Sequence, residues 1–213
     1  MEPKEIQKML SIILHDTKRP FNNLKMFITL FKLKKDDPDF IEKNSDALIQ
    51  EADGVLDLIR DLKEYFGHLK NESEEIKFGD LIEPPSTDFK KFLKVSPIKN
   101  AEKMIRVDLK LIKKGHNYLL SKLKDLSSSH LTKVTIEGTF SEGHPTINYK
   151  IFGKGIIKYI NRDKFLRVFF SEGSSEGARD LKLALAHKYF KSSGCSINFI
   201  ESEDFFELNV VLP

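Results

Sequence analysis

The first 70 residues carry a helical repeat that constrains the fold more than any other feature of the sequence. Mostly apolar side chains recur alternately four and three positions apart, over residues 6–31 and again over residues 41–69. The positions are Ile6, Leu10, Ile13, Thr17, Pro20, Leu24, Phe27 and Phe31, then Ile41, Ser45, Leu48, Ala52, Val55, Ile59, Leu62, Phe66 and Leu69. A mean spacing of 3.5 residues is typical of helices that pack along one shared seam. The charged break at 34–39, which contains Pro38, predicts two long antiparallel helices.

The apolar surface of these two helices is wider than a two-helix seam requires. Apolar residues also occupy positions beside the repeat, at Met9, Leu14, Phe21, Ile28, Ile49, Leu56 and Leu58. Pairing two hairpins in a homodimeric four-helix bundle would bury this extra surface. A monomeric hairpin packed on the rest of the chain is the alternative.

From about residue 75 the sequence changes to short segments separated by proline and serine. Alternating apolar residues predict strands at 104–108, 133–140, 146–152, 196–200 and 205–212, and helical periodicity predicts helices at 109–126 and 179–192. Strands with two helices between them indicate an α/β sandwich. The predicted fold class is therefore α+β, with a helical hairpin domain over 1–70 and an α/β sandwich domain over 75–213.

Composition limits the possible partners and the compartment. The 35 basic and 32 acidic residues give a net charge of +3 and are interleaved, so we expect no nucleic-acid partner. The single cysteine, Cys195, rules out an intramolecular disulfide and suits a reducing compartment. No apolar run is long enough to span a membrane, and the N-terminus lacks the features of a signal peptide. We therefore expect a soluble, cytoplasmic protein without a membrane anchor, and the spacing of the histidines predicts no metal site.

His15 is the one histidine whose sequence context suggests chemistry. It lies two positions after the seam residue Ile13, so its ring should face solvent. Asp16 follows it and could accept a ring proton, as an adjacent base does in covalent catalysis. Pro20 lies within the same predicted helix, where it removes a backbone hydrogen bond at the carbonyl of Asp16. On these residues alone, a surface histidine on a bent helix and a nucleophilic histidine are equally open.

The segment from His15 to Phe21 resembles the H box of sensor histidine kinases, a phosphoacceptor motif of the form H-[ED]-x-[RK]-x-P-[LF]. The resemblance implies that His15 carries a phosphoryl group, that Asp16 assists, and that an aspartate of a receiver domain exchanges the group. Because a receiver active site is a cluster of carboxylates, we expect Lys18, Arg19 and Asn22 to contact that partner. Arg19 departs from the Thr or Asn of many members, which puts dephosphorylation of the receiver in doubt.

The second half resembles the ATP-binding domain of the same kinases, more weakly but in the same order. Asp108 precedes a helix like that of the N box, residues 153–156 resemble the first glycine box, and Leu181, Leu183 and Ala184 resemble the second. The residues that the family uses for nucleotide are replaced. Tyr118 and Lys122 stand where the resemblance implies asparagines, Ile151 where it implies the adenine-reading acid, and Asp180 and Lys182 where it implies phosphate-loop glycines.

These losses predict a phosphorelay protein that does not use ATP. We expect a histidine-containing phosphotransferase that passes a phosphoryl group between receiver aspartates through His15, with no cofactor of its own. The Mg²⁺ ion needed for transfer is expected on the receiver. Two alternatives remain: a soluble histidine kinase with a divergent ATP site, and a non-catalytic pseudokinase that binds a receiver domain as a scaffold.

Overall fold

The computed structural model describes Lys18 and residues 21–82, 93–126, 131–141, 143–158, 160, 162 and 181–213. These residues cluster into two units, one ending at Gly67 and one beginning at His68. No helix within the described ranges is long and apolar enough to cross a membrane.

The first unit contains helix α1, described over 21–33, and helix α2, Pro38–Phe66. Asp37 begins α2 because its carboxylate Oδ1 accepts a hydrogen bond from the backbone N–H of Phe40 at 3.0 Å, with Pro38 at the first helical position. Gly67 ends it in an extended conformation, while its N–H donates to the carbonyl of Lys63. The predicted extension of this helix to residue 69 is therefore wrong, because the backbone leaves the helix at Gly67.

The two helices of the first unit run antiparallel. The rings of Phe31 and Phe40 lie edge to face at 5.8 Å, and Asn23 Nδ2 donates to Glu51 Oε1 at 3.1 Å. Val55 is buried, and Leu24, Phe27 and Phe31 are half-buried along the predicted seam. The helical hairpin is thus confirmed in the part of the chain that the structure describes.

The second unit is built on two sheets. Strands β1 (Glu74–Lys77) and β3 (Met104–Val107) form an antiparallel pair. The larger sheet has the order β2-β4-β5-β7-β6. Its strands are β2 (Leu93–Val95), β4 (Lys133–Ser141), β5 (His144–Phe152), β6 (Ser196–Glu201) and β7 (Phe205–Val211). All neighbours in it are antiparallel except β2 and β4, which are parallel.

Two helices supply the other layer of this unit. They are α3 (Leu109–Leu126) and α4 (Leu181–Ser192), and both contribute to one apolar core with the inward side chains of the sheet. Short 3₁₀ turns at Phe78–Leu81 and Ile156–Lys158 connect elements. The predicted α/β sandwich is confirmed, with α3 at the predicted residues. The sequence did not predict β1 or β2, and the predicted start of α4 at 179 lies outside the described residues.

Candidate functional site

The predicted phosphoacceptor motif spans residues 15–21, and the structure describes only Lys18 and Phe21 of it. His15, Asp16 and Arg19 lie outside the described residues. Lys18 is helical and exposed, and Asn22 is exposed on α1. Their assignment as partner-binding residues stays a prediction.

Helix α1 has two separate exposed apolar edges. Because successive helical residues are rotated by about 100°, Phe21 and Ile28 lie on one side of the half-buried seam, and Met26, Leu30 and Leu33 on the other. All five side chains are at least 37% exposed, and Leu33 is 75% exposed.

Helix α2 adds to only one of these edges. Ile49 and Leu56 are 57% and 58% exposed and lie two helical turns apart. In an antiparallel hairpin they fall on the same side as Phe21 and Ile28. Phe21, Ile28, Ile49 and Leu56 are among the apolar residues that a two-helix seam alone does not require. In the single chain their side chains are exposed to solvent.

The position of the expected adenine-reading acid is closed. Ile151 lies in β5 with 0% of its side chain exposed, between Val134 of β4 and Phe206 of β7, which are also 0% exposed. No part of Ile151 is left for a ligand to contact. An aliphatic side chain also offers no hydrogen-bond acceptor for an adenine amino group.

The positions of the expected N-box asparagines are aromatic and cationic. The ring of Tyr118 stacks on that of Tyr189 of α4 at 5.8 Å with an interplanar angle of 12°. Lys114, one turn earlier, donates from Nζ to the Tyr189 hydroxyl at 3.2 Å. Lys122 is half-buried. Tyr118 is therefore engaged in joining α3 to α4.

The two helices meet closely at Gly115. A Cβ atom placed on Gly115 would lie 2.8 Å from Cε1 of Phe190, so only glycine allows this contact without displacement. Of the second-glycine-box positions, Lys182 is half-buried on α4, and Asp180 lies outside the described residues. In the segment that resembles the first glycine box, Gly155 has φ +62°, and Ile156 N–H donates to the Gly153 carbonyl. The positions that the sequence resemblance assigns to nucleotide-reading groups thus hold a buried side chain at Ile151 and a stacked one at Tyr118.

A buried histidine–tyrosine pair lies beside Phe190, the ring that packs against Gly115. His116 Nδ1 and the Tyr149 hydroxyl are 2.8 Å apart, and His116 Nε2 is buried without a hydrogen-bond partner in the described structure. Burial lowers the pKa of His116 to about 4. Burial, and then the nearby Cys195, raise the pKa of Tyr149. Burial also raises the pKa of Cys195 to about 11, and the hydrogen bond between Ser193 and Cys195 opposes this rise. These pKa shifts favour the neutral form of all three side chains at neutral pH.

We predict that His116 makes the second unit sensitive to acid. Its pKa is about 4 in the fold and about 6.5 when unfolded, so between these values the unfolded state binds more protons and stability falls as pH falls. The loss from pH 7 to pH 4 amounts to about 3 kcal/mol. Glutamine cannot titrate, so in His116→Gln the free energy of unfolding should fall by about 3 kcal/mol less than in the parent protein between pH 7 and pH 4. Urea unfolding at the two pH values measures this difference. Equal losses in the variant and the parent protein would contradict the prediction.

No group of three or more potential metal-ligating side chains occurs among the described residues. The sequence context of His116 suggested no chemistry. Its burial could have been found from its spacing, because it is four residues after the buried Ile112 and three before the buried Leu119 on an amphipathic helix.

Comparison with known proteins identifies the fold. No family model and no curated protein matches the sequence. Among solved structures, the histidine kinase AdeS of Acinetobacter baumannii matches with a TM-score of 0.68 at 16% identity, over 93% of this chain and 96% of that one. The histidine kinase ThkA, solved in complex with the response regulator TrrA, matches with a TM-score of 0.72 at 17% identity, over 97% of this chain and 61% of that one. The chain therefore has a histidine-kinase-like fold, with a helical hairpin followed by an α/β domain of the ATP-binding type.

Proposed function

We propose that this chain is a histidine phosphotransferase of a two-component phosphorelay. His15 accepts a phosphoryl group from the aspartate of one receiver domain and passes it to the aspartate of another, without ATP. One observation carries the proposal: in a histidine-kinase-like fold, Ile151 and Tyr118, which the sequence resemblance aligns with nucleotide-reading residues, are packed side chains, while the H box is intact in the sequence.

The transfer proposed for His15 needs little covalent chemistry from the protein. A ring nitrogen of neutral His15 attacks the phosphorus of the receiver's aspartyl phosphate. The P–N bond forms, the P–O bond to the aspartate breaks, and the receiver recovers its carboxylate. Asp16 holds or accepts the proton of the other ring nitrogen, which favours the nucleophilic tautomer. The Mg²⁺ ion that neutralises phosphoryl oxygens is held by the receiver's carboxylates.

The exposed side of α1 suits a receiver partner. Asn22 follows His15 by 7 residues and Met26 follows it by 11, which are close to two and three helical turns. These three side chains are therefore predicted on one face of the helix. Lys18 supplies positive charge near a carboxylate-rich active site, and exposed Met26 and Leu30 supply apolar contact area. ThkA was solved with a response regulator bound, and by analogy we assign this face to the receiver.

Two alternatives differ from this proposal in the origin and the fate of the phosphoryl group. A kinase with a divergent site, for which the turn at Gly155 is the supporting feature, would phosphorylate His15 from ATP. A non-catalytic scaffold would bind the receiver and transfer nothing.

The test compares phosphoryl donors. The full chain is incubated either with radiolabelled ATP and Mg²⁺ or with purified receiver domains carrying a radiolabelled aspartyl phosphate. We expect label on the chain only from a receiver. Labelling from ATP would establish the kinase, and binding of a phosphorylated receiver without transfer of label would establish the scaffold.

We also propose that the active form is a homodimer joined through the exposed edge of Phe21, Ile28, Ile49 and Leu56. The double variant Ile28→Glu/Ile49→Glu should raise the dimer dissociation constant by about 100-fold or more, because each protomer would bury two carboxylates without partners. Light scattering after size-exclusion chromatography measures the change. The matched control, Met26→Glu/Leu33→Glu on the opposite edge of α1, should remain dimeric and lose receiver binding. A monomeric wild type, or a monomeric control, would contradict this arrangement.

A further inference from the structure

One buried carboxylate, that of Asp108, holds the segment that leads into strand β1 by a hydrogen bond. Asp108 precedes α3 and is only 2% exposed. Its Oδ1 accepts a hydrogen bond from the backbone N–H of Leu111 at 2.9 Å, which caps the helix. Its Oδ2 accepts one from the backbone N–H of Glu72 at 2.7 Å. One side chain therefore serves both the start of α3 and a residue 36 positions earlier.

A second attachment holds the same segment at the end of the other helix. Asn71 Nδ2 donates to the backbone carbonyl of Ser192, the last residue of α4, at 3.1 Å. Ser73 Oγ donates to Asn71 Oδ1 at 2.9 Å, which orients that amide. Strand β1 then begins at Glu74, opposite Val107. Residues 71–74 are thus fixed continuously to the second unit.

The residues just before this segment have no such attachments. Within the described part of the chain, residues 68–70 make no hydrogen bond. They form one wall of a cavity of about 720 Å³, with Lys110, Lys114 and Tyr189 opposite. The fixed chain begins abruptly at Asn71.

We propose that Asp108 is a latch that limits the free segment between Gly67 and Asn71 to residues 68–70. With the latch closed, these three residues span at most about 11 Å, and with residues 71–73 released, six would span about 21 Å. The carboxylate is suited to this role because it has two oxygens for two separate backbone donors. Hydrogen bonds to a charged acceptor are stronger than those between neutral groups. This inference concerns the connection alone and does not depend on phosphotransfer.

Two substitutions separate the latch from the helix cap. Asp108→Ser keeps a good N-cap oxygen but has a single acceptor atom, so it can retain the cap while the link to Glu72 is lost. Asp108→Ala loses both. Hydrogen exchange of the full chain, read by NMR at individual amides, reports the Glu72 N–H directly. We expect Glu72 exchange to accelerate by about tenfold or more in both variants, with the Leu111 amide accelerated chiefly in the alanine variant.

Two further results complete the test. Asn117→Ala, at an exposed position of the same helix, serves as the control and should leave Glu72 exchange unchanged. Asn71→Ala should accelerate Glu72 exchange without affecting Leu111, which shows release of the segment even if the Asp108 variants unfold. The proposal is overturned if Glu72 exchanges in the wild type as rapidly as residues 68–70, or if its exchange is unchanged in the folded Asp108→Ser variant.

Discussion

Replacing Ile151 with aspartate should destabilise the second unit by more than about 4 kcal/mol. The new carboxyl group would be buried in β5 between Val134 and Phe206, with no polar partner, and burying an unpaired charge ranks among the most damaging substitutions. Apolar surroundings also raise the pKa of such a carboxyl group. The destabilisation should therefore be smaller at acid pH, where the group is protonated in both states, and larger near neutrality.

Two matched substitutions make this result specific. Ile151→Val removes one methylene group and should cost about 1 kcal/mol. Ile200→Asp places the same charge on the same sheet at a residue that is 48% exposed, and should change stability by about 0.5 kcal/mol or less. Urea unfolding followed by tyrosine fluorescence measures all three. If Ile151→Asp is as mild as Ile200→Asp, the position is open to solvent and a nucleotide cleft survives there.

Replacing His15 with alanine should lower phosphoryl transfer from a receiver by at least about 1,000-fold, because no nucleophile then remains at that position. The fold should persist, since the seam spacing places His15 away from the hairpin axis and surface substitutions usually change stability by about 0.5 kcal/mol or less. Asp16→Asn should keep dimerisation and slow transfer by about 100-fold, because it removes the proton acceptor.

The controls for this series come from the same chain. His144 is exposed on β5, far along the sequence from the H box, and His144→Ala should transfer at the wild-type rate. Single-turnover kinetics with a phosphorylated receiver gives the rates, and circular dichroism checks the fold. Transfer by His15→Ala at the wild-type rate would assign the phosphoryl group to another residue.

The elements that the sequence predicted well are those with strong periodicity. The 3.5-residue repeat led to the hairpin, and α3 was predicted to the residue because its apolar face repeats for five turns. That Asp108 caps this helix was not predicted. The helix end at Gly67 was missed because the apolar repeat continues to Leu69, although the backbone has already turned extended. Strand β2 has three residues, too few for an alternation to be recognised.

The candidate site was likewise predicted only in part. That Ile151 offers no polar atom to a ligand could be predicted from residue identity, because its side chain is aliphatic. The packing around Ile151 and Tyr118 could not, since it depends on contacts between distant segments. Tyr118 meets Tyr189 and Gly115 accepts Phe190 only after α3 and α4 have packed together. The link from Asp108 to Glu72 likewise joins residues 36 positions apart, with strands β1, β2 and β3 between them.

The most direct measurement of the central claim locates the phosphoryl group. The wild-type chain is incubated with a phosphorylated receiver and Mg²⁺ in the absence of ATP, quenched at alkaline pH to preserve phosphohistidine, digested and analysed by mass spectrometry. We predict an acid-labile phosphoryl group on the peptide that contains His15, formed as rapidly as the receiver loses its own. A group on any other residue, a group that appears only when ATP is added, or a receiver that keeps its phosphate would contradict the account.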